Sequence, residues 1–297
     1  MSMEVLPYVK LPNGETIRYR YRAGGTSLLV LIHGNMTSSK HWDVLMEQLD
    51  ERFTIFAPDL RGFGQSSYNE KIMHIRDFAS DVYQFVQALK LTNFDLIGWS
   101  TGGAVAMQFC ATYPNIARKL VLLASASTRG YPFWGTNADG TPNFQERLTS
   151  YEAIVADPSK TQAVQYLYNT QNRDGLKAIW NAGIYTVNQP EPTKYEEYVD
   201  DMLTQRNLAE VYHALNTFNI SEVDHVAATG TNEVTKITLP TLVLRGDRDY
   251  IVTQQMTEEI LEDLGPDTTF EPLVNCGHSP LIDDCAQLVE KIEKFLL

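Results

Sequence analysis

The chain has 297 residues, 43% of them hydrophobic, and a formal net charge of −13, enough for one large α/β domain or one domain carrying an insertion. The acidic balance argues against nucleic acid or an anionic membrane as a partner, and no run of about eighteen apolar residues offers a membrane span. The start, Met1-Ser-Met-Glu-Val5, lacks a basic segment followed by an apolar one, so no secretory signal is expected. Cys110, Cys276 and Cys285 have no metal-ligand spacing, and their odd count argues against a disulfide framework. A reducing, cytoplasmic location is the default expectation. The oligomeric state is left open.

Two short strand-like runs, Val5–Leu11 and Thr16–Tyr21, flank the turn signal Pro12-Asn-Gly14 and read as a hairpin. Leu28–Ile32 is continuously apolar, the pattern of a strand covered on both faces. A helix is expected over Ser39–Leu49, a strand over Phe53–Ala57 stopped by Pro58, and a long amphipathic helix over Met73–Leu89. An apolar run beginning at Phe94 leads to Ser100, followed by a helical stretch over Ala104–Tyr113 and a strand over Lys119–Ala124. From residue 128 to 236 the alternation breaks into helical segments with no convincing core strand, with loops at Gly135–Pro142 and Asn169–Gly175. It resumes with a strand at Leu239–Gly246, a helix at Gln254–Leu264, a strand at Thr269–Leu273 and a last helix at Asp284–Leu297. The expected architecture is α/β. A mostly parallel sheet carries helices on both faces (residues 1–127 and 237–297) and an inserted helical lid (128–236).

The segment Gly98-Trp-Ser-Thr-Gly102 has the spacing of a nucleophile elbow, a strand-to-helix turn so sharp that the central serine stands clear of the sheet. A serine hydroxyl needs a base to take its proton, and the base needs an acid partner to hold its tautomer. His278 follows the last strand-like run and Asp249 follows the one before, where functional residues of an open parallel sheet collect. Asp247 competes with Asp249, and either could cap a turn.

With His33-Gly-Asn35, Asp59-Leu-Arg-Gly-Phe-Gly-Gln-Ser66, the Gly98–Gly102 elbow, Gly246-x-x-Asp249 and Gly277-His278 in this order, the chain resembles the α/β-hydrolase superfamily in its single-lid form, akin to carboxylesterases and lactonases. The family spacing favours Asp249 over Asp247. The resemblance implies a triad of Ser100, Asp249 and His278. It also implies an oxyanion hole from the backbone N–H groups of Thr101 and Asn35, with Met36 as the substitute donor if the loop winds differently. Thr101 opens a helix, whose free N–H groups favour a developing oxyanion. His33 corresponds to a histidine with a structural role in the family, and Asp59–Ser66 reads as a structural turn. The loop His33–Ser39 is also similar to that of haloalkane dehalogenases, but those use an aspartate nucleophile followed by tryptophan. Here serine holds that position and Trp99 precedes it, which argues against dehalogenation and epoxide hydrolysis.

Aromatic residues crowd residues 131–218. Most are expected to pack helices together. Tyr131, Phe133 and Trp134, directly after the last strand before the insertion, are with Met36 the candidates for substrate contact. The expected activity is hydrolysis of a small or medium carboxylic ester or lactone through an acyl-enzyme, with a small-molecule substrate and no metal or organic cofactor. The rivals are a carbon–carbon bond hydrolase or thioesterase with the same triad, and a ligand-binding receptor on the same fold.

Overall fold

A computed structural model describes residues 5–297. The reading of the amino terminus as leader-free rests on Met1–Glu4, outside the described residues. Strands β1 (Tyr8–Lys10) and β2 (Thr16–Arg22) pair antiparallel across the Pro12–Gly14 turn. β3 (Ser27–Ile32) leads through a 3-10 turn at Ser39–Trp42 into helix α1 (Asp43–Gln48) and strand β4 (Phe53–Pro58). Then come α2 (Ile75–Ala88), β5 (Phe94–Trp99), α3 (Thr101–Thr112) and β6 (Ala117–Leu123). A separate hairpin, β7 (Trp134–Thr136) and β8 (Pro142–Arg147), precedes α4 (Tyr151–Ala156), α5 (Ala163–Asn169), α6 (Arg173–Gly183), α7 (Pro192–Met202) and α8 (Leu208–Thr217). The chain closes with β9 (Thr241–Gly246), α9 (Gln254–Leu264), β10 (Thr268–Leu273), α10 (Pro280–Asp283) and α11 (Cys285–Leu296).

Eight strands form one sheet in the order β1-β2-β4-β3-β5-β6-β9-β10. Every pairing from β4 to β10 is parallel, and β2 meets β4 antiparallel. The continuous apolarity of Leu28–Ile32 in β3 has its physical reason here, because helices cover both faces. On one face, Phe78, Val82 and Phe85 of α2 and Val105 and Phe109 of α3 bury against Val30, Leu96 and Leu120. On the other, Leu45 of α1 and Leu288 and Ile292 of α11 pack on Leu29, Ile97 and Leu123. No helix among the described residues is long and apolar enough to cross a membrane.

Strand order reverses around β3, which lies between β4 and β5 although β4 follows it in sequence. Such a switch point opens a crevice at the carboxyl ends of the strands. Ile32 at the end of β3 lies in register with Gly98 near the end of β5, so the loop after β3 comes alongside Ser100.

Two local expectations need correction. The helix expected over Ser39–Leu49 is a 3-10 turn joined to a shorter α-helix. The region 128–236 is not helical throughout, because part of the expected Gly135–Pro142 loop is paired as β7 and β8. Most of β8 is exposed, so no apolar alternation marks it. The hairpin is closed by its turn, where Asn137 N–H donates to the Thr141 carbonyl and Gly140 takes a φ of 86°. Phe218, Ile220 and Val234, from the end of the same region, bury in the α2–α3 core rather than over the crevice.

Phe109 is fully buried and meets Phe94 at 6.1 Å between ring centres. Phe109→Ala is expected to lower unfolding free energy by about 3–5 kcal/mol, read as a reduced urea midpoint.

Candidate active site

Ser100 sits at the turn between β5 and α3 with φ 55° and ψ −117°, a conformation unfavourable for a residue with a Cβ. The turn is held by its own backbone: Ser100 N–H donates to the Leu123 carbonyl at 3.0 Å, and Gly103 N–H donates to the Ser100 carbonyl at 2.9 Å. Crowding explains the flanking glycines. A Cβ at Gly98 would collide with the Gly102 carbonyl, and one at Gly102 with the Ile32 carbonyl.

His278 arrives from the loop after β10 and presents Nε2 at 3.1 Å from Ser100 Oγ. Its Nδ1 lies 3.0 Å from Asp249 Oδ2. The other oxygen, Asp249 Oδ1, accepts the N–H groups of Ile251 at 2.8 Å and Val252 at 2.9 Å. Both His278 and Asp249 are buried. With the carboxylate accepting at Nδ1, that nitrogen carries the proton and Nε2 is left to accept from the serine hydroxyl. Asp247 stays away from this line: it is exposed, and its Oδ1 accepts the Cys276 N–H at 3.2 Å.

Two supports carried no sequence signal of their own. Trp99 Nε1–H donates to the His278 carbonyl at 2.9 Å, tying the histidine loop to the elbow strand. Arg245 donates to the carbonyls of Asp249 at 2.9 Å and Val252 at 2.8 Å, clamping the loop that carries the acid.

Beside the elbow, Gly34 approaches Ser100 closely enough that a Cβ there would lie 3.2 Å from that of the serine. The next turn includes Met36 at φ 58°. The backbone N–H groups of Asn35, Met36 and Thr101 have no acceptor in the protein among the described residues. The Asn35 side chain is fixed from the insertion: its Oδ1 accepts from Gln205 Nε2 at 2.8 Å. Gln205 also binds Asn207 at 3.0 Å and Tyr168 at 3.1 Å, and Asn207 donates to the Arg61 carbonyl at 2.8 Å. No residue spacing announces this network, because its members meet only in the folded chain.

His33 faces away from the crevice. Its Nε2 accepts the Leu60 N–H at 2.9 Å and its Nδ1 lies 2.8 Å from the Gly34 carbonyl. Burial pushes it down to about 4, so it is neutral and fastens the loop after β3 to the turn after β4. In that turn, Asp59 accepts the N–H groups of Ser39 at 3.0 Å and Gln65 at 2.9 Å. Burial pushes its carboxyl up to about 6.

Ser100, His278, Asn35 and Thr101 open onto a cavity of about 520 Å³. Met36, Tyr131, Phe133 and Trp134 line it, and later parts of the insertion add Phe144, Lys160, Trp180 and Tyr212. Tyr250 and Ile251, from the loop carrying Asp249, close one side. Other aromatics of the insertion pack internally: Tyr185, Tyr195 and Tyr198 are buried in the core that includes Trp180.

A family model for the alpha/beta hydrolase fold matches residues 27–284. The chain belongs to that family. This hydrolase is 25% identical over 281 residues to 2-hydroxymuconate semialdehyde hydrolase of Pseudomonas sp. strain CF600, spanning 90% of the chain and 86% of the relative. With other curated relatives it is 33–36% identical over only 98–103 residues, so that it spans about a third of their length, 30–37%. Among solved structures it is similar to an esterase from Exiguobacterium antarcticum (TM-score 0.73, 20% identity, 97% of this chain and 98% of that one). It is equally similar to an enol-lactonase from Burkholderia xenovorans LB400 (TM-score 0.73, 20% identity, 98% and 99%). At these identities the structural likeness speaks for the fold alone.

A buried histidine held neutral supports the fold only while the unfolded chain has no stronger claim on the proton. The unfolded group titrates near 6.5 and the folded one near 4. The His33 contribution is therefore complete above 6.5 and is lost as pH falls toward 4. The stability advantage of the wild type over His33→Ala is expected to shrink across that window, read as the difference in urea midpoints. Asp59, shifted the opposite way, is present in both proteins and largely cancels in the difference.

Proposed function

We propose that this hydrolase cleaves a small or medium carboxylic ester or lactone through an acyl-enzyme on Ser100. The observation that carries the reading is the hydrogen-bonded line Ser100–His278–Asp249 at the base of a mainly apolar cavity. Ser100 Oγ attacks the carbonyl carbon while His278 Nε2 takes the hydroxyl proton. Asp249 holds the ring in register and stabilises the imidazolium that forms. The carbonyl oxygen becomes an oxyanion on the N–H groups of Thr101 and Asn35, with Met36 N–H as the alternative second donor. Collapse of the tetrahedral adduct breaks the bond to the leaving oxygen, which receives the proton from His278. Water, deprotonated by His278, then attacks the acyl carbonyl, and the second collapse frees the acid and restores Ser100.

Residues 128–236 serve in this proposal as a lid that roofs the cavity and shapes its specificity. Tyr131, Phe133, Trp134 and Met36 supply the walls for an apolar acyl or alcohol group. We take the protein to act in the cytoplasm on a small-molecule substrate, without a cofactor.

A second reading, hydrolysis of a carbon–carbon bond by the same triad, is supported by the match to 2-hydroxymuconate semialdehyde hydrolase along 90% of the chain. Product analysis on a diketone panel separates it from the ester reading.

The deciding experiment is turnover of a chain-length series of chromogenic esters and lactones. Ser100→Ala and His278→Ala are expected to lower kcat by several orders of magnitude with circular dichroism unchanged. Near-normal turnover in a folded Ser100→Ala protein would overturn the proposal. Gln205→Ala, which releases the Asn35 side chain, is expected to lower kcat about tenfold with less effect on KM, because a loosened donor matters most where charge develops.

A further inference from the structure

Lys160 is the one side chain with a fixed charge among the described residues lining the cavity. It comes from a short π-helical turn, Pro158–Gln162, a rare geometry often found at functional positions. Its ammonium donates to the Trp134 carbonyl and lies 4.4 Å over the ring of Phe133. It forms no ion pair with an acidic side chain among the described residues. The neighbouring carboxylate of Asp157 is engaged elsewhere, accepting the Lys160 backbone N–H at 2.8 Å and the Thr136 hydroxyl at 2.7 Å. Of three ammonium donors, one has a protein acceptor among the described residues.

An ammonium partly stripped of water without a counterion is costly. Desolvation pulls Lys160 below the usual lysine range, which expresses that cost. Two phenols share the same wall. Tyr131 and Tyr212 both line the cavity, and neither hydroxyl has a hydrogen-bond partner in the protein among the described residues. Tyr131 is within electrostatic reach of Asp249, and Tyr212 of Tyr131. Phe133 links the far end, with its ring 5.2 Å from that of Tyr212 and under the ammonium of Lys160. A run of unfilled donors thus leads from the triad toward the lysine along an otherwise apolar cavity.

Resting on the hydrolytic reading above, we propose that the substrate is an ester or lactone bearing a second, free carboxylate, and that Lys160, assisted by Tyr212, binds that carboxylate away from the scissile bond. A singly charged group suits this arrangement. One ammonium and one or two phenols match its two oxygens, whereas a chain of net charge −13 repels polyanions. Lys160 acts on specificity and takes no part in bond breaking.

The test compares two p-nitrophenyl esters of equal chain length, the neutral hexanoate and the adipate hemiester with its free carboxylate. The wild type is expected to favour the hemiester in kcat/KM. Lys160→Met is expected to lower that preference about tenfold, mainly through KM, as fits the loss of one charge-assisted hydrogen bond. Lys160→Arg is expected to retain most of it. An unchanged preference in Lys160→Met, or no preference in the wild type, overturns the proposal. If the wild type turns over neither ester, the hydrolytic reading fails separately. Calorimetry on Ser100→Ala then decides the anion site, with monomethyl adipate against dimethyl adipate. Tighter binding of the half-acid that Lys160→Met abolishes upholds the site, and equal binding of the two overturns it.

Discussion

The geometry of this molecule depends on one strained residue. Ser100 occupies a positive φ that an L-residue adopts at a cost of order 1–3 kcal/mol, and it stays there because its surroundings leave no alternative. Strand β5 is hydrogen-bonded on both sides, α3 begins at the next residue, and the glycines two positions away permit backbone contacts that any side chain would block. A helix that starts directly after the serine also leaves the Thr101 N–H unpaired at the positive end of its dipole. The Ser100 hydroxyl and a free backbone donor therefore come from a single turn.

Around that turn the fold assigns fixed protonation patterns by burial and hydrogen bonding. Asp249 has one oxygen committed to two backbone N–H groups, so the other has a defined direction toward His278. His33, one loop away, is fully buried and has no carboxylate hydrogen-bonded to it among the described residues. Desolvation keeps it neutral, and it serves as a backbone fastener. The two histidines differ in what surrounds the ring: His278 lines the cavity with an acid behind it, whereas His33 bonds backbone groups and the Thr37 hydroxyl and packs edge-on against Phe63.

The strands of the sheet were legible because Leu28–Ile32 is a continuous apolar run and β5, β6 and β9 each carry a shorter apolar stretch, and α9 occupies the expected Gln254–Leu264. The hydrogen-bonded line of Ser100, His278 and Asp249 was legible because the elbow glycines signal a backbone geometry and both partners follow strand ends, with Asp249 preferred to Asp247 only through the family spacing. What could not be read depends on side chains from distant segments. Lys160 sits on a polar stretch with nothing in its sequence neighbourhood to mark it as a cavity residue. Gln205 and Asn207 look like ordinary loop polar groups until α7 and α8 bring them against Asn35 and Arg61. The β7–β8 hairpin escaped notice because an exposed ribbon needs no apolar alternation.

The same buried amides tie the insertion to the core. Asn207 is fully buried, Ser38 donates to Asp201 of α7 at 2.5 Å, and Gln205 grips Asn35. Lifting that side of the insertion would strand several polar groups at once. The opposite rim is more open to water: Phe144 on β8 is 68% exposed and Tyr250 is 75% exposed. The insertion thus meets the loop after β3 through buried polar contacts at one edge, while at the hairpin edge aromatic side chains reach solvent, so the two borders of the cavity differ in how much water they admit.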